Sequence, residues 1–194
     1  LGCGRVQRKP MQTGAILDAP RAHLGSPRLL HVGCGGDPLP EWLRTAGYQE
    51  TRLDIDERHQ PDVLADMCTL GEIGQFQIVL CQHALEHLYP HQVGKALRVF
   101  LRVLTDDGYA MIMVPDLEGV QPSNDVLFIS PAGPIAGMDL FYGFRPKLEE
   151  MPHMAHHTGF VSATLEAALL EAGFARAHTR RMDCFNLLGI GIKA

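Results

Sequence analysis

The sequence has no apolar run long enough to cross a bilayer, which excludes a membrane-spanning helix. It has no C-x-x-C pair, and its 5 cysteines form an odd, irregularly spaced set. A disulfide framework is therefore excluded in favour of reduced thiols in a cytoplasmic setting. It also lacks basic excess: the net charge of -5 argues against general affinity for nucleic acid or an anionic membrane, and neither partner is expected. The basic group Arg176, Arg180 and Arg181 reads more simply as a solvated strand edge.

The opening stretch LGCGRVQRKPMQTG is basic but has no apolar centre of the kind that marks a signal peptide. Its LGCG resembles a glycine loop, yet no strand can precede it. Residues 1–26 are therefore expected to be a loosely ordered tail. Because the chain does not begin with Met, a fragment or processed product is expected, with Met11 as a candidate start. No repeat or linker divides residues 27–194, which are expected to form one domain.

What is present is an alternation of strands and helices. Leu29–Val32 reads as a buried strand running into Gly33-Cys34-Gly35-Gly36. Residues 41–46 suit a short helix closed by Gly47, and TRLDID at 51–56 a second strand ending in acids. QIVLC at 77–81 is continuously apolar, as in a strand covered on both faces. Residues 91–104 place Val93, Leu97, Phe100, Leu101 and Leu104 on one helical face. Asp106-Asp107-Gly108 then turns the chain into YAMIMV, another buried strand. Residues 162–174 form an amphipathic helix ending at Gly173, and two strand-like runs follow. Residues 116–158 show no period and are rich in Pro, Gly and Met; so long a loop in a compact domain is expected to be a functional insertion or disordered.

In a parallel α/β sheet, ligands sit at the carboxyl ends of the strands, which makes the loop after Val32 a binding candidate. A dinucleotide fingerprint is excluded, since Pro38 stands where the third glycine belongs and Asp37 would repel a pyrophosphate. No Gly-Lys-Ser/Thr follows, so it is not a phosphate-cradling Walker loop either. A ligand carrying positive charge and a ribose fits better. Asp54, at the end of the second strand, is spaced to receive a ribose diol and is expected to be exposed there; the competing reading is that Asp54 or Asp56 merely caps a turn.

The stretches LLHVGCGG, TRLDIDERHQPDVLADM, FQIVLCQHALEHL and LRVLTDDGYAMIMVPD, in this order, resemble the consecutive motifs of class I S-adenosylmethionine-dependent methyltransferases, closest to the type 11 group. The resemblance implies an α/β fold: a doubly wound, mostly parallel seven-stranded Rossmann-like sheet, strand order 3-2-1-4-5-7-6, the last strand antiparallel. It implies S-adenosyl-L-methionine as cofactor. Gly33, Cys34 and Gly35 would pass beneath its methionine part, Asp54 would bind ribose, and Ile55 would pack on adenine. Asp66 would accept from the adenine amine beside Met67, and Cys81, Gln82 and His83 would line the pocket near the sulfonium. His31 departs from the family, which often carries an acid there to hold the cofactor's amino group.

Methyl transfer from a sulfonium is an in-line displacement in which the protein mainly aligns the acceptor and excludes water. His83, His156 and His157 are the candidates for a base or for positioning an acceptor, which is expected to be a small molecule. His153 joins them in MPHMAHHTGF, either closing over the site or lying in an exposed loop, and Phe128, Phe141, Tyr142 and Phe144 either line a substrate pocket or pack a core. The insertion at 116–158 is expected to act as a lid. Two other readings exist. One is a non-catalytic methyltransferase-like module. The other takes HALEH as H-x-x-E-H, with His83 and His87 on one helix face binding zinc, Glu86 as base, and Glu166 or Glu171 as third ligand. The favoured reading includes no metal.

Overall fold

A computed structural model describes residues 26–194. The expectation of a loose tail at 1–26 thus falls almost wholly outside the described residues.

The first strand, β1 (Arg28–Val32), pairs in parallel with β2 (Gln49–Asp54) on one side and β4 (Phe76–Gln82) on the other. The two-residue β3 (Val63–Leu64) extends the sheet beyond β2, and β5 (Leu104–Pro115) continues it beyond β4. The chain end adds β8 (Arg176–Met182) and β9 (Asn186–Ile192), with β9 inserted antiparallel between β5 and β8. The order is β3-β2-β1-β4-β5-β9-β8, as the sequence implies, with the last strand reversed. β8 forms the sheet edge that the Arg176, Arg180 and Arg181 group suggested.

Side-chain alternation builds two cores from the same strands. Leu30, Val79 and Cys81 point to one face, where α2 (Pro90–Val103) contributes Val93, Leu97 and Phe100 and α4 (Ser162–Ala172) contributes Leu165 and Leu169. Leu29, Ile78 and Leu80 point to the other, against Leu43 of the short α1 (Glu41–Thr45). Both faces are covered, which is why Leu29, Leu30 and Val32 of β1 and residues 78–81 of β4 are apolar. Gln92 accepts a hydrogen bond from the Tyr89 N–H at the start of α2, and Gly173 closes α4 at φ 107° in the left-handed region.

Two boundaries differ from the sequence reading. β2 begins earlier, at Gln49, and stops at Asp54, because Asp56 caps a 3₁₀ turn at Glu57–His59. The Asp106-Asp107-Gly108 turn sits within β5: Leu104 pairs with Phe76, and the next pair, Tyr109 with Ile78, leaves the residues between bulged out of the ladder.

The segment 116–158 is not the aperiodic loop its composition suggests. It contains an antiparallel hairpin, β6 (Val126–Ser130) and β7 (Gly133–Ala136), then α3 (Gly137–Tyr142) and two 3₁₀ turns. Val120, Ile135 and Leu140 form a small core of their own, joined by Phe128, Phe141, Phe144 and, from the β8–β9 turn, Phe185. Of the aromatics considered as a substrate wall, Phe128, Phe141 and Phe144 pack this core, while Tyr142 is exposed.

Candidate active site

A cleft of about 630 Å³ opens at the carboxyl ends of β1, β2 and β4, within the roughly 300–1,000 Å³ of small-molecule sites. Its floor is the glycine loop. Gly33 and Gly35 have φ of 61° and 50°, a conformation that strains any other residue. A Cβ on Gly33 would come within 2.4 Å of the Ala84 Cβ, so the loop and the turn after β4 touch there.

Asp54 is buried, not exposed. Its Oδ2 accepts the Gly35 N–H at 2.8 Å and its Oδ1 accepts the Asp56 N–H at 2.9 Å. It therefore shapes the glycine loop as well as lining the cleft, and its remaining lone pairs stay available to a ligand. Asp56 caps the next turn and is bound by Arg58, whose guanidinium holds its carboxyl below the usual range. The turn-capping reading thus applies to Asp56, while Asp54 faces the cleft.

Arg52 had no signal in the sequence, yet it props the loop from behind. Its guanidinium donates to the carbonyls of Gly35 at 2.6 Å and Asp37 at 3.0 Å. Arg52→Ala is expected to weaken cofactor binding by at least about ten-fold, since a hydrogen bond from a charged donor contributes roughly 1.5–3 kcal/mol. Calorimetry with S-adenosylhomocysteine checks this; unchanged affinity would show that the loop holds its shape unaided.

The cleft gathers most of the expected residues and omits others. Gly33, Gly35, Asp54, Asp66, Met67, Gln82 and His83 line it, with Ile55 two-thirds exposed at its rim. Asp66 also receives the Cys68 N–H at 2.8 Å through one oxygen. Cys34 and Cys81 do not line it: Cys34 is buried within the glycine loop and Cys81 within β4, and burial pushes both thiols up, keeping them neutral. His31 faces away as well, its Nδ1 2.7 Å from Glu50 Oε1. Asp37, which lines the cleft, was considered in the sequence only as an obstacle to phosphate.

Just past the end of β4, His83 has φ 49°, a rare conformation for a non-glycine residue. Its N–H donates to Met113 O at 2.8 Å, and the imidazole projects half-exposed into the cleft with Nδ1 3.4 Å from Glu86 Oε1. Desolvation disfavours the charged ring, but Glu86 outweighs it and raises His83 above its ordinary value. Glu86 itself is fully buried; burial would push its carboxyl up, yet the facing His83, with His87 and His156, holds it down.

The insertion divides the remaining histidines. His153 and His157 line the cleft with Lys147, Met151 and Met154, and His157 stacks on Tyr89 at 4.2 Å between centroids. His156 does not line it: Nδ1 lies 3.0 Å from Leu140 O, turned inward, and desolvation lowers its pKa. The H-x-x-E-H geometry is also absent, because residues 83–87 form no α-helix and only Leu85–His87 make a 3₁₀ turn. Glu166 lies near Thr179 on β8 and joins no metal-ligand group among the described residues.

A doubly wound sheet of this strand order, with a glycine loop and a ribose-spaced acid at its switch point, defines the class I methyltransferase architecture. The sequence pattern described as a methyltransferase domain matches residues 6–179, and the chain belongs to that family. Among curated proteins none matches. Solved structures share the fold at low identity. 1,6-Didemethyltoxoflavin-N1-methyltransferase from Burkholderia thailandensis, with bound 1,6-didemethyltoxoflavin and S-adenosylhomocysteine, has 18% identity and a TM-score of 0.56, over 89% of this chain and 73% of its own. A SAM-dependent methyltransferase from Archaeoglobus fulgidus has 16% identity and a TM-score of 0.60, over 87% of both chains. An S-adenosylmethionine-dependent methyltransferase from Clostridium acetobutylicum ATCC 824 has 9% identity and a TM-score of 0.59, over 88% of this chain and 85% of its own.

Proposed function

We propose that this domain transfers a methyl group from S-adenosyl-L-methionine to a small-molecule acceptor. The observation that carries this reading is Asp54: one buried carboxylate holds the glycine loop and still presents free lone pairs to a cleft of the right size. Bound there, the cofactor supplies an electrophilic methyl group on a sulfonium. Asp54 accepts the ribose hydroxyls, and Gly33 and Gly35 let the backbone approach closely. Asp66 accepts from the adenine amine, with Ile55 and Met67 as its apolar neighbours. Asp37 supplies the negative charge near the amino group that the family often places at position 31. Gln82 and His83 border the reacting end, and His83, held in its left-handed conformation, positions the acceptor.

A small acceptor accords with the toxoflavin precursor bound in the Burkholderia structure. The closed cleft wall, which includes insertion residues Lys147, Met151, Met154 and His157, supports the same view. In this reading residues 116–158 act as the lid, and the reduced thiols of Cys34, Cys68 and Cys81 support a cytoplasmic setting. Among the described residues no helix is long and apolar enough to cross a membrane.

Calorimetry with S-adenosylmethionine, S-adenosylhomocysteine and, as control, NAD tests the reading. Binding of the first two and not of NAD is expected; the reverse would overturn it. Specificity should follow the insertion's cleft residues rather than its aromatic core. Met151→Ala with Met154→Ala is expected to raise acceptor KM about three- to ten-fold, since each buried methylene contributes roughly 0.8 kcal/mol, and to leave S-adenosylhomocysteine affinity unchanged. Release of S-adenosylhomocysteine across a panel of small hydroxyl and amine acceptors measures this. Equal losses in both quantities would make these methionines part of the cofactor site.

A further inference from the structure

Behind the wall of the cleft lies a cluster that methyl transfer does not use. Glu86 is 1% exposed; His83 Nδ1 lies 3.4 Å from its Oε1 as an ion-pair neighbour, but neither carboxylate oxygen receives a well-formed hydrogen bond from any described residue. A buried carboxylate without hydrogen bonds is costly and is normally neutralised by a paired charge or a bound cation. Its ligand atom lies with one from His87 and one from His156, all within 4.8 Å of one another.

His156 is arranged as a ligand, and one ring nitrogen of His87 is left without a proton to share. His156 Nδ1 is 3.0 Å from Leu140 O; donating there leaves the Nε2 lone pair free, the tautomer in which a backbone carbonyl orients a metal-bound histidine. His87 has Nδ1 3.2 Å from Ala155 O and Nε2 3.1 Å from His83 O. A neutral ring donates through only one nitrogen, so the other presents its lone pair to a carbonyl oxygen. That approach is repulsive unless a cation or a second proton is present. The rings of His87 and His156 stand 5.1 Å apart at 55°, as neighbours that share a partner rather than stack.

We propose that Glu86, His87 and His156 bind one divalent transition-metal ion, of the zinc or cobalt class. Two imidazoles and one carboxylate suit such an ion, whereas Mg²⁺ and Ca²⁺ prefer all-oxygen sites. The set differs from the H-x-x-E-H reading: His83 is not a ligand, Glu86 is, and the third donor comes from the insertion. The role is structural. Glu86 and His156 do not line the cleft, only His87 reaches its wall, and the Glu86 carbonyl already accepts the His157 and Thr158 N–H groups at 2.9 and 3.1 Å. An ion here fastens the end of the insertion to the turn after β4 and so holds His157 and Met154 at the acceptor side.

The alternative source of positive charge is a proton on one of the histidines, and the two are separable. The whole chain, stripped with a chelator, is titrated with Zn²⁺ by calorimetry and with Co²⁺ by visible absorption. One equivalent, a cobalt d–d band and a higher melting temperature with Zn²⁺ are expected. Glu86→Gln and His156→Ala should each lower Zn²⁺ affinity at least about ten-fold and remove the cobalt band. Circular dichroism and S-adenosylhomocysteine binding confirm that each variant folds, and His87→Gln replaces either one that does not. Absence of binding by the parent chain would assign the charge on Glu86 to protons and overturn the proposal. Binding that persists in the variants would overturn it too, by placing the ion elsewhere.

Discussion

Asp54→Ala is expected to weaken S-adenosylhomocysteine binding by about ten-fold to a few hundred-fold, because each hydrogen bond to a charged group contributes roughly 1.5–3 kcal/mol. The carboxylate holds the loop and, in the proposed reading, the ribose, and the variant tests both. Losing its ribose partners lowers affinity directly. Losing the acceptor for the Gly35 and Asp56 N–H groups loosens the loop and costs stability as well, so the fold is not expected to be untouched. An unsatisfied buried group costs roughly 1–3 kcal/mol, and each kcal/mol shifts the melting temperature of a domain this size by about 2–4 °C. Asp54→Asn separates the two effects: it keeps one oxygen for a backbone N–H but carries no charge. It should melt nearer the parent while still binding weakly. Asp56→Ala is the control, since that side chain is occupied by Arg58, and its affinity should stay within about two-fold. Weakening by Asp56→Ala alone would mean that the wrong acid had been assigned.

The central sheet was legible because physics leaves little choice there. Strands covered on both faces are apolar at nearly every position, as Leu29, Leu30, Val32 and residues 78–81 are, with His31 the exception that Glu50 pairs, and a glycine pair followed by an acid-ended strand marks where a ligand goes. The insertion was illegible for the converse reason. Val126 and Ile129 of β6 are exposed and Pro134 interrupts β7, so the hairpin carries no alternating signal. Its histidines could not be sorted, because a residue in a 3₁₀ turn or loop has no fixed period to tell cleft from core; His156 and His157 are adjacent yet face opposite ways. Glu86, a base only in the alternative H-x-x-E-H reading, is buried by the structure, a consequence of a turn that only tertiary contacts select. Arg52 was hidden by its place on an edge-proximal strand, where an arginine ordinarily means solvent.

Gly33→Ala is expected to lower the melting temperature by about 5–20 °C and to abolish tight cofactor binding. Two separate costs combine. A left-handed φ of 61° disfavours any L side chain by roughly 1–2 kcal/mol. The new methyl would also meet the Ala84 Cβ at 2.4 Å, an overpacking that costs about 1–3 kcal/mol or forces the loop and the turn apart. Gly35 supplies the comparison: its φ of 50° is equally left-handed, but a Cβ there meets nothing within 4 Å. Gly35→Ala should therefore bear only the backbone cost, and melt well above Gly33→Ala. The contact cost can be reversed from the other side. Ala84→Gly alone should destabilise, since it removes a buried methyl and loosens the turn. Combined with Gly33→Ala it should stabilise, because it vacates the space the new methyl needs. That change of sign is a coupling of about 0.5–3 kcal/mol, measurable by thermal melts of the four chains of the cycle. Strictly additive melting temperatures would show that the loop after β1 and the turn after β4 do not touch, and the cleft would lose the contact that joins its cofactor floor to its acceptor wall.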